Sequence, residues 1–250
     1  MTTDRAGEPD GQVAALSVHE IQPGPLGDLP HRPSREAYDR RLREIQDDVL
    51  RMGSLVEDAL RAALESLSAH DAAAAAAVIA NDSRINEMQR QISALIVETI
   101  ATQQPVARDL RYLLALDHVS YELERMGDHV GSVAKQARKL APEPPLKPYV
   151  DLPRMGAVAA VFIHDVLRSL VDIDADGART AAVQDDEIDA LYHKTFAEVL
   201  DLMRADPANV DRGARILFAA HYMERIGDRA TNIAEDVVFL ATGTVQDLNP

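Results

Sequence analysis

Glu124 and Asp128 lie four residues apart inside a Glu-Arg-x-Gly-Asp pentapeptide, and Glu224 and Asp228 repeat the arrangement. On a helix this spacing sends both carboxylates from one face, a turn apart, so that two such groups can jointly grip a cation. The spacing alone is weak evidence. With 41 acidic residues in 250, roughly seven such pairs are expected by chance, and a solvated charged face is the ordinary role for any one of them. These two share one pentapeptide, and both border an apolar stripe near Tyr121 and His221. Asp82 with Asn86, and Asp185 with Asp189, supply a second set of groups four apart. Antiparallel neighbouring helices would bring the two sets together as oxygen-only clusters. Such clusters suit hard cations, Mg, Mn, Ca or oxygen-ligated Fe; Zn is possible beside His221 but less favoured. Converging carboxylates repel, so burial and cation binding go together, whereas an exposed face requires neither. Because Asn86 stands where the second set has Asp189, the second cluster is expected to bind metal more tightly.

Composition narrows the alternatives. The absence of cysteine excludes disulfides, thiolate metal sites and cysteine nucleophiles. A formal charge of -15 disfavours nucleic-acid binding. No apolar run approaches the ~20 residues of a membrane span, and Val13 to Leu16 is too short for a secretory core, so a cytoplasmic location is expected. There is no phosphate-cradling P-loop, no Gly-x-Ser-x-Gly elbow, no HExxH pairing among the eight histidines and no nucleophile beside a base, so no enzymatic activity is expected.

The elements that must position these acids follow from the punctuation. Residues 1–33, with Pro9, Pro23, Pro25, Pro30 and Pro33, read as a flexible extension. Beyond them the Ala-, Leu-, Glu- and Arg-rich composition with 4% aromatics predicts an all-α chain. Ser34 can cap a first helix that breaks at His70-Asp71; the Ala72 to Ala77 run starts a second; Pro105 suits the first turn of a third ending near Ala141. A proline-rich linker over 142–152 leads to a second bundle over 153–243. Its helices are expected from about Pro153 to Ile173, then after a break around Asp174 to Gly177 as far as Arg204, then from Pro207 to Leu240. Gly243 is a C-cap residue, and 244–250 a C-terminal tail.

The two halves match residue by residue. Arg51-Met52-Gly53 recurs as Arg154-Met155-Gly156, Ser66-Leu67 as Ser169-Leu170, Asp71 as Asp174 and Asp82 as Asp185, all at an offset of 103, which becomes 100 at the pentapeptides. A shorter loop between the second and third helices of the second half would account for the change. The implied fold is a tandem repeat of two three-helix bundles with long antiparallel helices, the first over 34–141. Met52 and Met155 read as core fillers, Gly127 and Gly227 as places of close helix approach, Arg125 and Arg225 as surface or inter-helix ion pairs. The first and fourth helices carry apolar surface for contacts between the bundles.

The repeated pentapeptide, the stretch Gln104-Pro105-Val106-Ala107-Arg108-Asp109-Leu110-Arg111, and the run from Asn232-Ile233-Ala234-Glu235-Asp236 to Thr242-Gly243 together resemble the PhoU family over residues 36–243. The resemblance implies a non-enzymatic accessory regulator of phosphate uptake, often a homodimer, that keeps the phosphate-starvation response silent when phosphate is abundant. Its implied partners are the ATPase subunit of the phosphate ABC transporter and the sensor histidine kinase, with membrane association only through them. It also implies metal at the acidic motifs, iron or another ion (Fe, Mn, Mg or Zn), carried here by Glu124, Asp128, Glu224, Asp228, Asp185 and Asp189. The match at Asp82 and Asn86 is incomplete, so the first site is expected to hold fewer ions or none. Two other classes remain open: an iron store or oxidase-like bundle, against which stands the absence of any Glu-x-x-His, and a metal-free oligomerising helical protein.

Overall fold

A computed structural model of the chain describes residues 35–249. The expected flexible extension over 1–33 and the capping role of Ser34 lie outside the described residues. Among the described residues all regular structure is helical: α1 (Arg35–Ser68), α2 (Ala72–Gln103), α3 (Arg108–Leu140), α4 (Asp151–Asp172), α5 (Ala175–Ala182), α6 (Gln184–Ala205), a 3₁₀ turn (Pro207–Asn209) and α7 (Val210–Thr242). Helices α1 to α3 form the first bundle, and α4 to α7 the second.

The apolar stripes explain the packing. Leu116, Val119, Leu123, Met126, Val130, Val133, Ala137 and Leu140 of α3 are all buried, as are Ile216, Ala219, Met223, Ile226, Ala230, Ile233 and Val237 of α7, while Leu240, the last expected member of the α7 stripe, is only partly buried at the helix end. Each large aliphatic side chain removed from water contributes about 2 kcal/mol. The two stripes meet, because α3 packs on α7 as well as on α1 and α2, and α1 also packs on α4. One continuous core therefore runs through both bundles.

The repeated Arg-Met-Gly segments build the α1–α4 contact. Met52 and Met155 fill the core. A Cβ on Gly53 would overlap the Leu167 side chain, and one on Gly156 would overlap Leu64. Leu64 and Leu167 are themselves equivalent, so each half inserts the same leucine against the other half's glycine.

The repeated Asp71 and Asp174 are helix N-caps. Asp71 accepts from the amides of Ala73 and Ala74 at 2.9 Å, and Asp174 from those of Asp176 and Gly177 at 3.1 and 3.0 Å. His70 and Ile173 adopt left-handed conformations just before them, and the amide of each aspartate donates to the carbonyl of Ser66 or Ser169 at 2.9 Å. At the far end, Gly243 closes α7 with φ 75, where glycine avoids the Cβ penalty.

Several boundaries differ from expectation: α4 starts at Asp151, inside the expected linker, and Pro207 opens a 3₁₀ turn ahead of α7. Pro105 lies in the loop before α3 rather than in its first turn. The expected single helix after Gly177 starts earlier, at Ala175, holds Gly177 in its interior, and is broken at Val183 into α5 and α6. The break gives α6 its own N-terminus, with Asp185, Asp186 and Glu187 in the first turn, where the helix dipole favours acids. Finally, the connections 104–107 and 206–209 are equal in length, so the offset change from 103 to 100 arises within the helices and not in a shorter loop.

The linker before α4 is tied down. Tyr149 of the proline-rich linker stacks on His70, and Lys147 pairs with Asp151 and Glu198. Asp151 is buried and also receives Lys194 at 2.8 Å. The hydrogen bond from Lys194, with that from Lys147, holds its carboxyl below the usual range.

Candidate metal centres

The ERxGD pentapeptides sit midway along α3 and α7, the two helices at the seam between the bundles. In both, the residue between glutamate and aspartate that faces inward is apolar and buried, Met126 or Ile226. This leaves Glu124, Asp128, Glu224 and Asp228 half-buried on the flank turned toward the neighbouring helix of the same bundle. The pentapeptide glycine lets that neighbour approach. Ile85 of α2 would lie 3.1 Å from a Cβ on Gly127, and the equivalent Ile188 of α6 would lie 3.2 Å from one on Gly227.

The acidic residues of helix two follow from this contact. Asp82, three residues before Ile85, reaches Gly131 and is half-buried. Asp185, three residues before Ile188, lies directly over Gly227, where a Cβ would collide with its Oδ1. Asp185 is only 4% exposed. The break at Val183 separates the two arrangements, since α2 runs straight past Asp82.

The acids feel one another. Burial, with repulsion from Asp128, raises the Asp82 carboxyl, and burial with Asp128 and Asp82 raises Glu124. In the second half burial raises Asp189 and Glu224, both with Asp228 as the next contributor. The largest effect falls on Asp185, pushed up to about 7 by burial and by Asp189, Asp228 and Glu224. A cluster of this kind is held at the expense of electrostatic repulsion that a cation would relieve.

Its oxygens are also short of donors. Asp82 Oδ1, Asn86 Oδ1 and Asp185 Oδ1 are buried without a hydrogen-bond partner. Buried acceptors of this kind are costly unless something positive or protonated meets them. The donor set is oxygen-only, as the sequence predicts, and fits a hard cation. Among the described residues no three His, Asp or Glu side chains stand close enough together to enclose an ion as they are now placed. Binding would therefore draw the side chains inward.

The surrounding groups take ordinary roles. Arg225 pairs with Asp228 at 2.8 Å and Arg125 with Asp128 at 3.5 Å; these are bonds along one helix and not between helices. Arg125 also donates to the Tyr121 hydroxyl at 3.0 Å. His221 Nδ1 lies 3.3 Å from Glu224.

Two features escape the sequence reading. Asn249, beyond α7, donates its side-chain amide to Asp185 Oδ2 at 2.8 Å. Glu122, adjacent to the α3 stripe, is 2% exposed and is met at the seam by Arg229 and Asn232 of α7, each at 3.3 Å, and by His118 at 3.4 Å. His118 in turn bonds Asp236 of α7 at 2.6 Å. The equivalent position across the seam is occupied by His129 stacked on Tyr222. Burial and the neighbouring Arg229 and Arg225 push this imidazole down to about 4. The signal available in the sequence was the mismatch of Glu122 with Tyr222 and of Arg229 with His129 between otherwise equivalent positions.

Comparison with known proteins agrees with the duplicated architecture. The PhoU domain family matches twice, over residues 49–137 and 152–237. A phosphate-specific transport system accessory protein PhoU homolog from Clostridium acetobutylicum is 35% identical over 217 residues, 86% of this chain and 99% of the relative. The homolog from Pseudomonas aeruginosa is 33% identical over 217 residues, 86% of this chain and 89% of the relative. The crystal structure of PhoU from Pseudomonas aeruginosa superposes with a TM-score of 0.79 at 33% identity, covering 83% of this chain and all of that one. That of the phosphate transport system regulatory protein PhoU from Streptococcus pneumoniae gives 0.78 at 29% identity, covering 84% and 99%. With both halves matched in sequence and the paired bundles matched in structure, the chain belongs to the PhoU family.

Proposed function

We propose that this protein is an accessory regulator of phosphate uptake that keeps the phosphate-starvation response silent when phosphate is abundant. The observation that carries the reading is the match of both halves to phosphate-specific transport system accessory proteins over nearly their whole length. The protein would act by contact, in the cytoplasm and as a homodimer, with the ATPase subunit of the phosphate ABC transporter and the sensor histidine kinase as partners. No helix among the described residues is long and apolar enough to cross a membrane, so membrane association in this reading runs through those partners.

Metal sites on the two acidic faces belong to the same proposal. Asp185, Asp189, Glu224 and Asp228 would hold a divalent or iron-type cation in the second half; Asp82, Glu124 and Asp128, with the amide of Asn86, would hold one more weakly in the first. The orphaned buried oxygens support this assignment. When bound, the cation supplies positive charge that neutralises mutual repulsion and locks helix two against helix three in each bundle. The chain's own residues position it: Gly127 and Gly227 admit the neighbouring helix, and Arg125 and Arg225 hold the outer aspartates.

The test is a starvation reporter, such as secreted phosphatase, in a deletion strain grown in abundant phosphate. Derepression rescued by the wild type, but not by the protein with Glu124, Asp128, Glu224 and Asp228 all changed to Ala, is expected. A silent reporter in the deletion strain would overturn the regulatory reading. Rescue by the quadruple variant would remove the acidic faces from the mechanism.

A further inference from the structure

Beyond Thr242 the chain does not leave the molecule. Arg179 of α5 donates to the Gln246 side chain at 3.0 and 3.1 Å. The Leu248 amide donates to Glu235 of α7 at 3.0 Å, and the Leu248 side chain packs on the core. Asn249 then reaches Asp185. Residues 245–249 thus run as a strap beside the second acidic cluster, and Val245, Gln246, Asp247 and Asn249 line a surface cleft together with Asp228, Arg229 and Asn232. Val245 in this strap is 82% exposed.

Among the described residues no such segment bonds the equivalent acid of the first half, whose Oδ1 is buried without a partner. Asp82 lines a cleft with Asp58, Asn81, Arg84 and Gly131 between the helices of the first bundle.

We infer that the strap is a gate on the second cluster, its Asn249 amide taking the place beside Asp185 that a cation would take. The amide carries only a partial positive charge. It satisfies one oxygen, Oδ2, and leaves the buried Oδ1 without a donor. A divalent cation drawing both carboxylate oxygens and those of Asp228 and Glu224 inward competes for the same oxygen, frees Asn249 and loosens the strap, which is then held only through Gln246 and Leu248. Loosening uncovers the α7 face that carries Asn232. By linkage, cation binding and strap docking weaken each other equally, which gives a cation-dependent surface in one half only.

This inference rests on the metal reading above, and one experiment separates them. The chain has no cysteine, so Val245→Cys places a single dye on the strap of the full chain. Its anisotropy is followed during Mn²⁺ titration, with binding measured by calorimetry. Mn²⁺ is expected to lower the anisotropy. Asn249→Ala should begin with the lower anisotropy and bind Mn²⁺ about tenfold tighter, the equivalent of losing one charge-assisted hydrogen bond. Asp185→Asn keeps an acceptor for Asn249 and should hold the strap still at all Mn²⁺ concentrations. Mn²⁺ binding with equal affinity in wild type and Asn249→Ala, and with no change in anisotropy, would overturn the gate and leave the metal site standing. Absence of Mn²⁺ binding in wild type and Asn249→Ala alike would overturn both.

Discussion

Asp185 concentrates the electrostatic tension of the second half. Its carboxyl is raised by burial first, and then by three neighbouring acids, to about 7. A carboxyl raised on folding favours the fold while it is protonated, so its contribution is complete below about pH 4 and is lost as the pH rises through 7. Cation-free Asp185→Asn should therefore be more stable than wild type at pH 7, with the difference fading toward pH 4. The slope is at most about 1.4 kcal/mol per pH unit, measurable by urea unfolding across this range in the presence of a chelator. His129 has the opposite sign: held down to about 4, it contributes stability above pH 6.5 that is lost as the pH falls, so the comparison must be made between variants and not on the wild type alone. Metal uptake should discriminate between the halves as well. Asp228→Ala is expected to lose the tighter-bound cation and Asp128→Ala to retain it, because Asn86 contributes an amide where Asp189 contributes a charge. Equal losses by calorimetry would contradict the asymmetry.

Helices in this protein meet through glycine on one side and a branched apolar side chain on the other. Gly53 receives Leu167, Gly156 receives Leu64, Gly127 receives Ile85 and Gly227 receives Ile188. Overpacking a well-filled core costs about 1–3 kcal/mol per site. Gly53→Ala and Gly156→Ala should each lower stability by that amount without affecting metal uptake, since neither touches an acid. Gly227→Ala should do both, because the added methyl would collide with Asp185 itself as well as with Ile188. Parallel unfolding and Mn²⁺ titrations of these variants distinguish a packing glycine from one that shapes the site. Asp71 and Asp174 cap α2 and α5, and replacing either with Ala should cost about 1 kcal/mol. The larger functional effect is expected at Asp174, since α5 and the break at Val183 set the direction from which Asp185 enters.

Among the described residues the two bundles share the α3–α7 and α1–α4 seams. The polar part of the seam is asymmetric: Glu122 with Arg229, Asn232 and His118 on one side, His129 stacked on Tyr222 on the other. Glu122→Ala would leave the partly buried Arg229 without its carboxylate and should destabilise by about 2 kcal/mol, less than for a fully buried ion pair because Arg229 keeps some solvent access. One cooperative unfolding transition is expected to shift as a unit, and two separated transitions would show that the bundles fold independently. Chelation belongs to this scale too. A cation bound only by the folded chain adds about 2.7 kcal/mol at a hundredfold excess over its Kd, so its removal should lower Tm by about 5 °C or more. An unchanged melting curve would make the ions absent or peripheral.

The sequence by itself determined the helices, the duplication, the buried stripes and which acids would share a face, because these depend on local propensity and on a period of 3.6 residues that any stretch carries within itself. The glycine after α7 was legible for the same reason, whereas Asp71 and Asp174 read only as a repeated helix break and their capping bonds came from the structure. The tertiary structure alone decided how deep each acid lies. Asp82 and Asp185 occupy equivalent positions, yet the break at Val183, which no proline or glycine marks, leaves one half-exposed and buries the other over Gly227. It alone decided that Glu122 is buried, that Arg229 reaches it from the other half, and that Asn249 returns to Asp185, since contacts between residues far apart in the chain leave no period to read.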